Sequence, residues 1–370
     1  MNFFYMPTKI IFEEKCLFTY KDEFKSFGKK CLIVTGRSSA RKSGALSDLL
    51  EAFKGMDIKA FVFDEIMENP TFEILQKAMN EFRDSDIDFV VGIGGGSPLD
   101  ASKMIGVLLE NNIVDARDLI FTDGLSSKPI IAIPTTSGTG SETTPYSIIT
   151  DHKAQKKLSC MAKIFPQIAF LDTRYYMTMP DSVIRSTAVD ALCHLTEGFL
   201  IKKSNFYSDE IAMSGLKFFV NAMNTLKSGN FTKEMHENLI HASTFAGIVI
   251  SHTGTGIPHG FGYHLTYNHG VYHGKATALF LGSMVEMHIR KNHKHVNKGH
   301  KLLKILGFKT TLELRQFIIA IVGPYTISNE DFELYTELEI KNKRKLKSHD
   351  FEINKEDIKK AFKESLIITK

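Results

Sequence analysis

Short β-rich runs alternate with amphipathic helical stretches through the first half of the chain. This alternation limits the fold more than any other feature. "KKCLIVTG" ends at Gly36, "LSDLLEAFKGM" has helical spacing, and "IKAFVFDEI" is a second strand. "TFEILQKAMNEFRDSD" is a helix with Thr71 as its N-cap, "DFVVGIG" and "LDASKMIGVLLEN" repeat the pair, and "KPIIAIPTTSGTGSE" opens a fourth strand. Such an order requires right-handed crossovers and a parallel sheet covered on both faces. Past about Pro180 strand signals nearly vanish. "SVIRSTAVDALCHLTEGFLIKK", "NFYSDEIAMSGLKFFVNAMNTLK", "TKEMHENLIHASTFAGIVISH" and "HGKATALFLGSMVEMHIRKNHKH" all carry helical periodicity. At 370 residues the chain exceeds one ordinary core. The expectation is an α/β dinucleotide-binding domain with a parallel sheet over residues 1–179, then an all-α domain over 180–370.

Glycine is costly to order, so four glycines at one strand-to-helix turn need a reason. In "VVGIGGGSPLDASKMIG", Ser97 is placed to N-cap the helix, with Pro98 in its first turn and Asp100 three residues on. Backbone N–H groups exposed before a helix N-terminus suit a phosphate. Gly92, Gly94 and Ser97 occupy the G-x-G-x-x-G positions, with the last glycine missing. After the next strand, "IPTTSGTGSETT" mixes hydroxyls and glycines where open α/β sheets bind ligands. A third wall follows the first strand. There Gly36 leads into Arg37, Ser38 and Ser39, with Arg41 and Lys42 beyond, and this loop has no acid. A carboxylate would select the 2′-hydroxyl of NAD, whereas arginine accommodates a 2′-phosphate. NADP(H) is therefore expected over NAD(H).

Ten of the 14 histidines lie between His241 and His300. Asp190 and His194 are four apart on a helical pattern, so one face carries a carboxylate and an imidazole. His259 and His273 are each followed by glycine. One carboxylate with two or three imidazoles and no thiolate suits Fe²⁺, Zn²⁺ or another borderline divalent ion. His264 and His269 are open between supporting, proton-carrying and merely satisfied roles. His252, His288, His293, His295 and His300 are expected on the surface or a helix face, and Glu197 as a structural partner rather than a ligand.

The net charge of +4 argues against nucleic acid or a membrane surface as partner, and "KNKRKLK" (341–347) is expected to be a solvated helix face. No apolar run is long enough to span a bilayer. The opening "MNFFYMPTKIIFEE" lacks the pattern of a signal peptide, and Cys16, Cys31, Cys160 and Cys193 are scattered. A cytoplasmic protein with reduced thiols is expected.

Taken in order, "GGGSPLDASK", "PTTSGTGSE", "VDALCHLTEGF" and "HGFGYHLTYNHGVYHG" resemble the iron-containing (group III) alcohol dehydrogenases. The opening "FYMPTKIIF" and the "TGRSS" loop are similar to the NADP-linked, butanol-dehydrogenase-like members. The resemblance implies Asp190, His194, His259 and His273 as ligands of Fe²⁺, with Zn²⁺ the alternative ion. It implies Gly95, Gly96 and Ser97 at the cofactor phosphates, and Asp100 near the nicotinamide end. Thr135, Thr136, Ser137 and Lys157 would also contact the cofactor, and Gly36 stands where NAD-preferring members often carry aspartate. It implies hydride transfer between the cofactor and a small primary alcohol or aldehyde in an inter-domain cleft, by a homodimer. Many members carry a proton-handling histidine four residues after the third ligand. Here Tyr263 stands there with His264 beside it, which leaves a cofactor ribose hydroxyl, His264 or His269 as the candidate proton carriers. Competing readings are a zinc-dependent glycerol dehydrogenase-like or dehydroquinate synthase-like enzyme on the same fold, and a nucleotide-binding protein without turnover.

Overall fold

The computed structural model describes residues 3–154, 156–292 and 297–369. The chain forms two compact units, Met6–Met179 and Met1–Tyr5 with Pro180–Lys370. The first residues therefore group with the helical unit and not with the α/β unit. The Tyr5 N–H donates to His252 Nε2 (3.0 Å), and the Phe4 ring stacks on the same imidazole.

In the α/β unit, β1 (Lys9–Phe12), β2 (Lys30–Thr35), β3 (Lys59–Phe63), β4 (Phe89–Gly94), β5 (Ile130–Pro134) and β8 (Ile168–Leu171) form one sheet. Its order is β1-β8-β5-β4-β2-β3, and every pairing is parallel. β4 and β5 are buried along their whole length, as strands covered on both faces must be. The covering helices are α1 (Cys16–Thr19), α2 (Ser39–Lys42), α3 (Ala45–Ala52), α4 (Phe72–Phe82) and α5 (Gly96–Glu110). Thr71 does cap α4, accepting from Ile74 N–H. A two-stranded antiparallel hairpin, β6 (Ile148–Asp151) and β7 (Lys156–Ser159), stands apart from the sheet.

Register sets the geometry of the ligand edge. Thr35 of β2 pairs with Ile93 of β4, and Gly94 of β4 with Pro134 of β5. The loops after β2, β4 and β5 therefore leave one edge side by side. Strand order reverses between β2 and β4, the switch point at which open α/β sheets form a crevice.

The helical unit begins with α6 (Asp181–Leu200), α7 (Phe206–Ser228) and α8 (Lys233–Thr253). Every residue of α6 from Ala188 to Leu200 is buried, so it is the axis on which the others pack. An Asn205–Ser208 capping box starts α7, and Thr232 caps α8. Next come α9 (Ile257–His269), α10 (His273–Ala278), α11 (Leu281–Lys291), α12 (Lys298–Leu306) and α13 (Thr311–Val322). The unit closes with α14 (Asn329–Lys341), α15 (Lys343–Leu346) and α16 (Lys355–Ser365). The single run read from His273 onward divides at Leu279–Phe280 into α10 and α11. A short parallel ladder of β9 (Thr326–Ser328) and β10 (Ile367–Thr369) joins the helices. No described helix is long and apolar enough to cross a membrane.

Candidate functional site

The helical unit gathers one carboxylate and two imidazoles, Asp190, His259 and His273, into one donor set, with the third imidazole, His194, stacked beside them outside that set. Asp190 and His194 lie one turn apart on α6, with Nδ1 of His194 4.0 Å from Asp190 Oδ2. His259 is in the first turn of α9, and His273 is the first residue of α10. His259 Nε2 and His273 Nε2 lie 3.6 and 3.9 Å from Asp190 Oδ1. Donor atoms of Asp190, His259 and His273 all fall within 4.8 Å of one another. The His194 ring stacks on His259 at 4.5 Å.

Gly274 explains why a histidine followed by glycine is needed here. A Cβ at that position would lie 1.8 Å from the Ser186 carbonyl oxygen and 2.9 Å from Asp190 Cβ. Only a residue without a side chain lets the start of α10 press against α6 and bring His273 to Asp190. The Lys275 N–H then donates to Ser186 Oγ (3.3 Å).

Glu197, one turn beyond His194, orients the His259 imidazole. Its Oε1 is 2.5 Å from His259 Nδ1, and its Oε2 accepts the Gly256 N–H at 2.5 Å. A carboxylate there holds the ring proton on Nδ1 and leaves the Nε2 lone pair facing Asp190. Asp190 Oδ1 and His259 Nε2 are buried and have no hydrogen-bond partner among the described residues. Buried polar atoms left without a hydrogen bond are costly, and a cation between them removes that cost. An ion with bonds of about 2.1 Å spaces its donors by roughly 3.4 Å, close to the separations here. The residues fit a divalent cation.

The electrostatics agree. Burial opposes charge on Asp190, but His194, with His259 and His273, holds its carboxyl well below the usual range. Burial likewise opposes a charged His259, yet Glu197 and Asp190 raise its pKa to about 9. In the metal-free protein a proton therefore occupies the ligand that a cation would claim.

His264 does not join this cluster. Five helical positions carry it about 140° round α9 from His259, and its Nε2 is bound to Glu339 Oε1 of α14 at 2.7 Å. His269 is held by the Tyr335 hydroxyl (2.8 Å). Both brace α9 against α14. Tyr263, on the His259 face, stacks on the His273 ring instead. His288 is on a helix face as expected, but the inward one: it is buried beside Asn292 in the last turn of α11. His252 is half-buried against the N-terminal aromatics and His300 is exposed. His293 and His295 lie outside the described residues. The "KNKRKLK" tract is not one solvated face: it breaks at Asn342, and the Lys345 ammonium is bonded to Thr255.

In the α/β unit the two glycine- and hydroxyl-rich loops pack on each other. Thr136 covers Gly95, Thr139 covers Gly96, and the Thr135 N–H donates to Gly94 O (2.9 Å). Ser137 is buried at the same edge. The expected capping role of Ser97 is not realised. Helix α5 starts two residues earlier with Gly95 as its cap, and Ser97 Oγ accepts from Asn69 N–H (3.2 Å). Asn69 Oδ1 also accepts from Lys157 Nζ (2.7 Å), so this residue, unnoticed in the sequence, links Ser97 to Lys157. Its signal in the sequence is the Asn69–Pro70 dipeptide, a turn pair, and in the structure Asn69 does adopt a left-handed φ of 59°. Asp100 makes no capping box either. It accepts from Ser141 Oγ (2.6 Å) and from Ile148 N–H (2.9 Å), tying α5 to the segment after β5. Arg37, Ser38 and Ser39 are exposed beside Gly36. The acid missing from their loop comes from the end of β3, where Asp64 pairs with Arg41 at 2.9 Å and leaves Arg37 outside that ion pair.

Family models for iron-containing alcohol dehydrogenase and for the C-terminal part of that family match residues 7–173 and 184–366. Lactaldehyde reductase of Escherichia coli K12 is 31% identical over 268 residues, 70% of this chain and 69% of that protein. NADPH-dependent butanol dehydrogenase of Clostridium saccharobutylicum is 27% identical over 359 residues, 90% and 91% of the two chains. The solved structure of an iron-containing alcohol dehydrogenase from Thermotoga maritima superposes with a TM-score of 0.91 at 36% identity, covering 99% of each chain. With both halves matched in order and that identity sustained over nearly the whole length, the chain belongs to the iron-containing alcohol dehydrogenases, a family of nicotinamide-dependent oxidoreductases.

Proposed function

We propose that this protein interconverts small primary alcohols and aldehydes with NADP(H), using Fe²⁺ or, alternatively, Zn²⁺. Asp190, His194, His259 and His273 hold the ion in this reading. When bound, the ion supplies Lewis acidity toward the substrate oxygen and the nicotinamide supplies or accepts hydride. Glu197 keeps the His259 proton on Nδ1. Gly95, Gly96 and Ser97 offer the cofactor phosphates backbone N–H groups and a hydroxyl. Thr135, Thr136, Ser137, Lys157 and Asp100 line or brace the same edge, and Gly36, Arg37, Ser38 and Ser39 receive the 2′-phosphate. Tyr263 borders the reacting face beside His273. His264 and His269 serve as braces to α14.

The observation that carries the metal assignment is the convergence of Asp190, His259 and His273, with Asp190 Oδ1 3.6 and 3.9 Å from the two imidazole Nε2 atoms in a buried site. The NADP preference rests on Arg37 and on the similarity to an NADPH-dependent butanol dehydrogenase, which also favours short, rather apolar substrates. A homodimer is part of the proposal and is read by light scattering. The deciding experiment is anaerobic purification, metal analysis, and comparison of NADPH with NADH on a panel of short aldehydes. His259→Ala is expected to lose metal and turnover together. Full activity of that variant without metal rules the reading out.

A further inference from the structure

The reaction proposed above makes no use of the basic tract at residues 341–347. Its neighbours Lys343 and Lys347 are exposed, but Lys345 on α15 is drawn inward. Its ammonium donates to Thr255 Oγ1 (2.7 Å) and to Thr255 O (3.1 Å) in the turn between α8 and α9. Its aliphatic stem packs on α9, with Cγ 3.2 Å from where a Cβ of Gly260 would sit. The residues after it continue the grip. Ser348 O accepts the Lys202 N–H (2.8 Å), and buried His349 places Nε2 3.3 Å from a Cβ position on Gly256.

The gripped turn has a particular duty. Gly256 N–H holds Glu197 Oε2, and α9 begins at the next residue with His259 in its first turn. Any shift of Thr255–Gly256 therefore moves both a ring of the metal cluster and the carboxylate that aims it. Drawing an ammonium out of water is unfavourable unless its donors are used. Here they are used on this turn, although Lys341, Lys343, Arg344 and Lys347 of the same tract stay exposed.

We infer that Lys345 is a positioning residue for the metal centre, holding the Thr255–Gly256 turn and, through it, Glu197 and His259 in the geometry that retains the ion. The inference rests on the metal reading above and reaches a residue with no contact to the ion. Groups that orient metal ligands typically change metal affinity by about 10–100-fold, and Lys345 acts one step further out, so the lower end applies.

The test uses the full-length protein loaded anaerobically with Co²⁺, whose visible bands report the site. Release into excess chelator is followed for wild type, Lys345→Met, Lys347→Met and Thr255→Val. Lys345→Met keeps the stem and removes the donors. It is expected to release Co²⁺ about tenfold faster, with far-UV CD, the thermal midpoint of the metal-free protein and NADPH affinity unchanged. Lys347→Met should match wild type. Thr255→Val should move in the same direction by less, and adding it to Lys345→Met should add little, because both remove one interaction. If Lys345→Met does not fold, Thr255→Val carries the test. Wild-type release from Lys345→Met, or equal acceleration by Lys347→Met, overturns the inference. A wild-type protein that holds no Co²⁺ in a His259-dependent manner removes the metal reading itself, and this inference with it.

Discussion

Replacing Glu197 by Gln preserves volume and shape but removes the charge from a fully buried carboxylate. Its two oxygens each accept one hydrogen bond, from His259 Nδ1–H and from Gly256 N–H. An amide has one acceptor oxygen, so one donor must face the NH₂ group. If the oxygen stays with His259, the Gly256 turn is repelled; if it stays with Gly256, the imidazole loses its anchor and its tautomer. Losing one charge-assisted hydrogen bond costs about 1.5–3 kcal/mol, roughly 10- to 150-fold in an equilibrium constant. Orienting carboxylates behind metal-bound histidines have effects of about 10–100-fold, so the two routes agree. The assay is competition for Zn²⁺ between the protein and a chromophoric chelator at fixed pH. CD and the metal-free thermal midpoint serve as folding controls. The expected result is a rise in Kd of about 10–100-fold, with NADPH affinity unchanged. A folded Glu197→Gln protein binding Zn²⁺ within about twofold of wild type would mean that Glu197 only fills space, and that the carboxylate does not set the orientation or tautomer of His259.

Gly274→Ala places a methyl in the Ser186 carbonyl. Separation of α10 from α6 should lower stability by about 1–3 kcal/mol or more and empty the site of metal. Calorimetry with metal analysis checks it, and normal metal content at normal stability contradicts it. Arg37→Ala should weaken NADPH by about tenfold or more, as expected for a lost contact to a charged group, and leave NADH unchanged. Equal weakening of both cofactors in fluorescence titrations would place Arg37 away from the 2′-phosphate. The pKa of His259 in the metal-free protein is raised to about 9, so its protonated form prevails below that pH and opposes an incoming cation. Metal affinity should therefore rise about tenfold per pH unit between pH 7 and 9 and flatten above, with close to one proton released per ion at pH 7.5. A pH-independent affinity in buffered titrations would show that no such proton is displaced.

Much of this architecture was legible in local pattern. The alternation up to β5 announced a parallel sheet, because each strand and each helix carried its own periodicity. Strands β1 and β8 carry no such local signal. "KIIF" and "IAFL" are four residues long, too short for a period, and they become strands by pairing with each other and with β5. The role of Ser97 was misjudged because a capping pattern records only neighbours along the chain. The competing partner, Asn69, is 28 residues away and reaches Ser97 only once the sheet is built.

Spacing alone put Asp190 and His194 on one helix face, and composition alone limited the ion to one that accepts nitrogen and oxygen donors. Those conclusions follow from helix geometry and ligand chemistry, which act within a few residues. Whether His259 and His273 met that pair, and whether His264 did, depended on how α9 and α10 pack on α6 and α14. Packing also chose Glu197 to orient His259 and turned Lys345 inward while the lysines at 343 and 347 stayed exposed. Contacts between residues far apart in the chain are fixed by close packing and by the need to satisfy buried charge, and neither leaves a mark in local periodicity.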